Sequence, residues 1–359
     1  MDRNNVSSDR DIRTNLPSLD SPHPLCLRGV GGRGRAKMRL FPSALVLTTL
    51  LTALITGPSV HAAGGTVNVF YAGSLVNLNE TLVGPAFAAA EGYTYQGKGA
   101  GSLAIAAQLK GKLAAPDVVE LADPAVDRQL MGPSNGDLVA WYLTYARSEL
   151  VVGFDPRSHL APAFRAVQHH HLSWYRALEQ RGLRLGRTDP NVDPKGYRTL
   201  FMAGLAERVY HLHHFARRIL GSATNPSQIH PEEVLVARIL TGQVDAGVFY
   251  LSEVKDLGIP YIPLPAKINL GSTRYKHLYA TQRFATSHGT VVIGAPILFT
   301  ITIPATVRNS EGAQAFVRFV LGRRARVISA AHGLLSLPIA IGGERHRVPS
   351  AILALVGKG

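Results

Sequence analysis

Two serines stand where a chain can hold an anion. Ser74 follows Ala72 and Gly73, and Ser102 follows Gly99-Ala100-Gly101. Each lies between a β-rich stretch and an apolar stretch with helical spacing. The first N–H groups of a helix have no partner within it, and the helix dipole favours negative charge there. Small residues just before let a ligand approach the backbone closely. A serine in this setting also fits a helix cap, its oxygen accepting a backbone N–H. Two of them, each after one of the first two strands of an α/β unit, point to binding, because such units carry ligands at the carboxyl ends of their strands.

A third helix start lies in Asp189-Pro-Asn-Val-Asp-Pro-Lys-Gly-Tyr-Arg-Thr199. Asp193 fits the cap and Pro194 the first helical position. Beside an oxyanion the Asp193 carboxylate is repelled, unless it is protonated or coordinates the central metal atom. Tyr250 and Tyr197 are candidate further hydroxyl donors.

The elements that must position these groups follow from the periodicity. Strands are predicted at Thr66–Tyr71, Tyr93–Gln96, Pro116–Leu121, Glu149–Phe154 and Ala246–Tyr250. Tyr261–Leu264 reads as extended, and Thr290–Ile303 as strongly β. Helices are predicted at Leu75–Ala90, interrupted by Gly84-Pro85, and at Leu103–Leu109, Ala125–Met131, Pro231–Leu240 and Gly312–Leu321. One long helix is expected from Asp193-Pro194 to about Leu220. Alternation of strand, turn and helix implies an α/β fold with a parallel sheet.

The chain has 359 residues, 38 Lys+Arg against 24 Asp+Glu, and a single cysteine, Cys26. Collagen-like, disulfide-stapled and wholly disordered chains are excluded by this composition. Met1–Lys37 is polar and aperiodic, and reads as disordered or as an over-extended start of the reading frame. Residues 38–62 have the layout of a signal peptide: Met38-Arg39, an apolar run from Leu40 to Ile55, and small residues at Val60-His61-Ala62. The alternative is a transmembrane anchor, for which the run is short and broken by Pro42 and Ser43. Cleavage after Ala62 or Ala63 removes Cys26 and leaves 30 basic and 20 acidic residues, a net charge of +10. The basic residues do not cluster with interleaved aromatics, so the charge does not argue for nucleic acid.

Six segments in one order carry a family resemblance. They are Val69-Phe-Tyr-Ala-Gly-Ser-Leu75, Gly101-Ser102, Trp141-Tyr-Leu-Thr-Tyr-Ala-Arg-Ser-Glu-Leu-Val-Val152, the Asp189–Thr199 segment, Leu264-Pro-Ala-Lys-Ile-Asn-Leu270 and Pro296-Ile-Leu-Phe-Thr-Ile-Thr-Ile-Pro304. Over roughly Val67 to Pro338 the chain resembles the molybdate/tungstate-binding proteins of ABC importers, especially the tungstate-type branch.

The resemblance implies a periplasmic-binding-protein-like fold: two α/β lobes joined by a two-crossing hinge, with the ligand in the cleft. Lobe 1 is expected from 66–148 plus 291–338, lobe 2 from 149–290, and 339–359 as a C-terminal tail. The implied ligand contacts are Ser74, Ser102, Asp193 and Tyr250. Asp193 becomes a metal ligand only if it coordinates the Mo or W centre directly. The branch pairs this Asp with a Glu in a Phe-Glu-Tyr segment. Here Phe249 stands in that place, with Glu253 nearby, so donor-held tetrahedral binding is the reading that follows.

The implied function is an extracytoplasmic solute-binding protein, periplasmic or secreted. It would be a monomer, without cofactor or stable membrane insertion after cleavage. It would deliver molybdate or tungstate to an ABC permease and its ATPase. Another oxyanion, sulfate or phosphate, is the alternative ligand. A secreted hydrolase is the alternative of a different class, but neither serine lies in a Gly-x-Ser-x-Gly elbow. His169-His170-His171 reads as surface histidine. His211 and His214, one turn apart on the expected long helix, are spaced to share an ion, but no Cys or nearby carboxylate completes a site, so they too read as surface histidine.

Overall fold

The computed structural model describes residues 64–356. The expected leader, with Cys26, lies outside the described residues. Twelve strands follow in order: β1 (Thr66–Ala72), β2 (Thr94–Ala100), β3 (Val118–Leu121), β4 (Trp141–Arg147), β5 (Leu150–Phe154) and β6 (Leu185–Gly186), then β7 (Ala246–Tyr250), β8 (Tyr261–Pro263), β9 (Arg283–Ala285), β10 (Val291–Ile293), β11 (Leu298–Thr302) and β12 (Leu335–Gly343).

They form two main sheets. One has six strands in the order β12-β4-β11-β3-β1-β2, and the other has four in the order β6-β7-β5-β8. A two-stranded ribbon pairs β9 with β10. The expected parallel pairing holds where strands alternate with helices, in β2-β1-β3. Beyond β3 the six-stranded sheet turns antiparallel, through β11, β4 and β12. Both sheets are therefore mixed. β5 is buried along its whole length, between β7 and β8, which fits its unbroken apolar run Leu150–Phe154.

The chain leaves the six-stranded sheet between Arg147 and Leu150 and returns between Ile293 and Leu298. These crossings run side by side: Ser148 N–H donates to Ile297 O (3.4 Å), and Ile297 N–H to Leu270 O (2.8 Å). The return falls a few residues later than position 291, because Val291–Ile293 pairs with Arg283–Ala285 and not with the large sheet.

Three elements differ from their sequence signal for identifiable reasons. β4 lacks clean alternation, while β12 alternates between half-buried and exposed residues along most of its length. Five of the seven β4 residues are buried, and β12 sits at the sheet edge with a register shift between Ser336 and Ala340. Residues 335–343 are thus a strand, and Ile352 beyond them is fully buried, so this part of the chain is packed and not a loose tail. The expected long helix breaks after Tyr210. His211 and His214 both take left-handed conformations (φ 56° and 57°), and a second helix runs from Phe215 to Leu220. The two histidines do not share a helical face, which removes the basis for the shared-ion reading.

The helical run from Gly73 to Glu91 is continuous but changes pitch. A 3₁₀ turn (Gly73–Leu75) and an α turn (Val76–Leu78) lead to a π turn (Asn79–Val83), then an α-helix from Gly84. Pro85 has no N–H to return to the preceding turn, and the wider π turn accommodates that gap.

Candidate functional site

Ser74 and Ser102 both open helices at the carboxyl ends of adjacent parallel strands, β1 and β2. Neither caps its helix. The cap positions belong to Ala72 and Gly101, with no side-chain cap bond at either. Ser102 is 1% exposed, and its Oγ accepts the Ala122 N–H at 3.1 Å. That bond uses a lone pair and leaves the hydroxyl proton free to donate. Ser74 is half-buried at the second residue of its turn.

Asp193 does cap. Its Oδ1 accepts the Lys195 N–H at 2.7 Å at the start of the Pro194–Tyr210 helix. Its own N–H is occupied, donating to Asp189 O at 3.0 Å, so the side chain and not the backbone is the part of Asp193 that can meet a ligand. Asp193 is 5% exposed, and the Glu232 carboxyl lies close enough for its charge to act on it. Burial first, and then the Glu232 charge, push Asp193 up to about 8. Burial likewise pushes Glu232 up to about 7, against the pull of Lys195. Both shifts run toward the protonated carboxyl, the form that can donate an O–H bond.

The cation among these acids is Lys195, which is fully buried. Its ammonium pairs with Glu232 and, at 2.6 Å, with Glu253 Oε1. Burial works against the lysine charge, but the two glutamates outweigh it and hold the ammonium above its ordinary range. Glu253 also accepts the Tyr250 N–H at 2.7 Å. Among the described residues there is no group of three or more His, Cys, Asp or Glu arranged to hold a metal ion.

Tyr250 closes β7 with its ring 5.6 Å from Lys195 Nζ. Its hydroxyl oxygen accepts from Arg198 Nη1 at 2.6 Å, which again leaves the phenolic proton free. Tyr197, the other candidate donor, is committed elsewhere: its hydroxyl donates to Asp123 Oδ2 at 2.6 Å.

Two glycines bring the halves together. A Cβ on Gly73 would overlap the Glu232 carboxyl, and a Cβ on Gly101 would overlap the Val192 carbonyl and lie 3.3 Å from Asp193 Cβ. The Ser74 and Ser102 helix starts, from the six-stranded sheet, thus press directly on the Asp193–Glu232 pair. The Ala104 N–H donates to Val192 O at 3.2 Å along the same seam.

Sequence reasoning placed Ser74, Ser102, Asp193 and Tyr250 in one neighbourhood, but it missed Glu232, Lys195, Arg198 and Asp123. Lys195 and Arg198 lie in the Asp189–Thr199 segment, and a lysine and an arginine inside a helix start of buried small and apolar residues was the available signal. Glu232 carried none: Pro231-Glu232-Glu233 reads as an ordinary helix first turn. No second carboxyl comes from residues 248–250; the one beside Asp193 comes from position 232.

With this geometry established, comparison with known proteins gives the class. The chain belongs to the bacterial extracellular solute-binding protein family, matched over residues 67–335. It is similar to a putative ABC transporter molybdenum-binding protein of Haloferax volcanii, 33% identical over 272 residues that cover 75% of this chain and 83% of the relative. It is also similar to a molybdate/tungstate-binding protein of Thermococcus kodakarensis, 26% identical over 348 residues, 88% of this chain and 96% of the relative. Its fold is that of the periplasmic molybdate-binding protein of Azotobacter vinelandii, with a TM-score of 0.52 at 19% identity over 76% of this chain and 99% of that one. The two sheets are therefore the centres of the two lobes of a periplasmic-binding-protein fold. The family is one of transporter solute-binding proteins, not of enzymes. No described helix is long and apolar enough to cross a membrane.

Proposed function

We propose that this chain captures molybdate or tungstate outside the cytoplasm and hands it to an ABC permease driven by its ATPase. The observation that carries the reading is the convergence of the Ser74 and Ser102 helix starts on the Asp193–Glu232 pair of the opposite lobe. The names of the Haloferax and Thermococcus relatives supply the ligand class.

In this reading lobe 1 is built on the six-stranded sheet and lobe 2 on the four-stranded sheet. The leader over 38–62 directs export and is removed. A doubly charged oxyanion enters the open cleft and meets the Ser74 and Ser102 hydroxyls on lobe 1. Closure brings up Asp193, Glu232 and Tyr250 from lobe 2. The binding energy shared between the lobes favours the closed form. The proton held by the carboxyl pair resolves the charge conflict at Asp193, since a protonated carboxyl donates to the ion instead of repelling it. A pocket lined by donors disfavours protonated oxyanions, whose hydrogen would face another donor.

Calorimetric titration with tungstate, molybdate, sulfate and phosphate tests this. Tight binding of the first two with weak or no binding of the last two is expected. Equal affinity for all four, or none for any, overturns it.

A further inference from the structure

Away from the carboxyl pair, a second buried cluster spans the two lobes. Asp123 follows β3 on the six-stranded side. Its Oδ1 accepts the Ala125 N–H at 2.8 Å and so caps the Pro124–Arg128 helix. Its Oδ2 turns the other way, accepting from Tyr197 OH at 2.6 Å and from Arg198 Nη2 at 2.8 Å. Arg198 Nη1 donates to Ala122 O at 2.7 Å and to Tyr250 OH at 2.6 Å. Tyr197 and Arg198 lie on the Pro194–Tyr210 helix, the same helix that Asp193 caps. Asp123, Tyr197 and Arg198 are 5%, 1% and 1% exposed.

Arg198 therefore has one bond to its own lobe, at Tyr250, and two to the other lobe, at Ala122 and Asp123. The planar guanidinium suits this arrangement, since its donors point in fixed directions and serve several acceptors at once. When the lobes part, water solvates Asp123 and Arg198 separately. When they close, both charges leave water and their pairing must replace that hydration.

On the capture reading above, we propose that Arg198 is the positioning residue that couples oxyanion capture to closure. It holds the Tyr250 hydroxyl as a donor and clasps Ala122 and Asp123 across the cleft. The clasp acts on how long the closed form lasts, and not on how fast the ion enters the open one.

Asp123→Asn tests this with little change of shape. The amide oxygen can keep the helix cap, but its NH₂ then faces the Arg198 donors. Tyr197→Phe removes one bond of the same cluster and serves if Asp123→Asn fails to fold. The expected result for Asp123→Asn is a tungstate dissociation rate raised roughly 10- to 100-fold with an unchanged association rate. The unloaded melting temperature stays the same while the tungstate-loaded one falls. Tyr197→Phe gives a several-fold change of the same kind.

Lobe separation is read independently by spin-label distances between Leu113→Cys and Leu240→Cys in a Cys26→Ser background. These positions are 80% and 49% exposed and lie on opposite lobes. In the tungstate-loaded protein, Asp123→Asn is expected to shift the distribution to longer distances. Unchanged dissociation with unchanged distances overturns the proposal, as does an equal fall in loaded and unloaded melting temperatures, which marks an ordinary core contact. If the unsubstituted protein binds no oxyanion, the capture reading fails and the proposal with it, whereas tungstate binding with unchanged dissociation in Asp123→Asn fails the proposal alone.

Discussion

The Glu232 carboxyl lies directly over the α-carbon of Gly73, with no room between them for a methyl group. One residue opens the helical run after β1, and the other starts a helix of the opposite lobe. The neighbour of Ser74 thus abuts the acid that pairs with Asp193. The same holds at Gly101, next to Ser102, where the opposing atom is the backbone carbonyl of Val192.

Alanine at either glycine should obstruct closure while leaving each lobe folded. Gly101→Ala is expected to be the more severe, because a backbone carbonyl cannot swing aside as a glutamate side chain can. A tungstate affinity reduced by at least about tenfold, or ~1.4 kcal/mol, is expected for Gly101→Ala in calorimetry, with a smaller loss for Gly73→Ala.

Ser102→Ala removes a free hydroxyl donor and leaves the Ala122 N–H without its acceptor. A hydrogen bond to a charged group is worth about 1.5–3 kcal/mol. Affinity for tungstate should therefore fall roughly 10- to 100-fold. Ser74→Ala should lower affinity as well, with no cost in stability, since its hydroxyl holds no structural bond of the kind Ser102 makes to Ala122.

The carboxyl pair gives a pH dependence with a definite sign. Asp193 rises from 3.8 to about 8 on folding, and Glu232 from 4.5 to about 7. A group raised on folding contributes stability that is fully present below its unfolded value and is lost as pH rises through the folded one. The unloaded protein should therefore lose stability between about pH 4 and pH 8, and Asp193→Asn or Glu232→Gln should flatten that slope in thermal melts. Tungstate affinity should fall as pH rises through 7 to 8, with proton uptake detected as a buffer-dependent heat. Affinity that rises over the same window would instead assign the carboxylates to direct coordination of the metal atom.

Lys195→Met leaves Glu232 and Glu253 buried without their cation. Removing one partner of a buried pair costs about 3–5 kcal/mol, which urea unfolding should register. Because the variant carboxyls hold protons more firmly, the loss should be smaller at pH 5 than at pH 8.

Export makes a prediction of its own. Protein recovered outside the cytoplasm should begin at Ala63 or Gly64 by intact mass. A chain retaining residues 38–62 would favour the anchor reading.

How much of this could be read from the sequence depended on the range of the interactions. The strand and helix around Ser74, the helix at Ser102 and the Asp193-Pro194 helix start are set by local spacing and capping chemistry and stand where periodicity puts them, whereas the strand before Ser102 runs on to Ala100, four residues past its predicted end at Gln96. Local signals failed at β4, which is paired on both sides and buried at five of its seven positions, and at His211–His214, where a left-handed break follows no glycine or proline. At the site, the sequence by itself determined the hydroxyls and the Asp193 cap, because a helix start states its chemistry within a few residues. Only the tertiary structure decided the rest. Glu232 meets Asp193, Lys195 neutralises two distant glutamates, and Arg198 reaches Asp123, each across 37 to 75 positions of chain. The first two arise when distant segments of the four-stranded lobe pack together, and the third when the two lobes meet, so no local pattern in the residues encodes them.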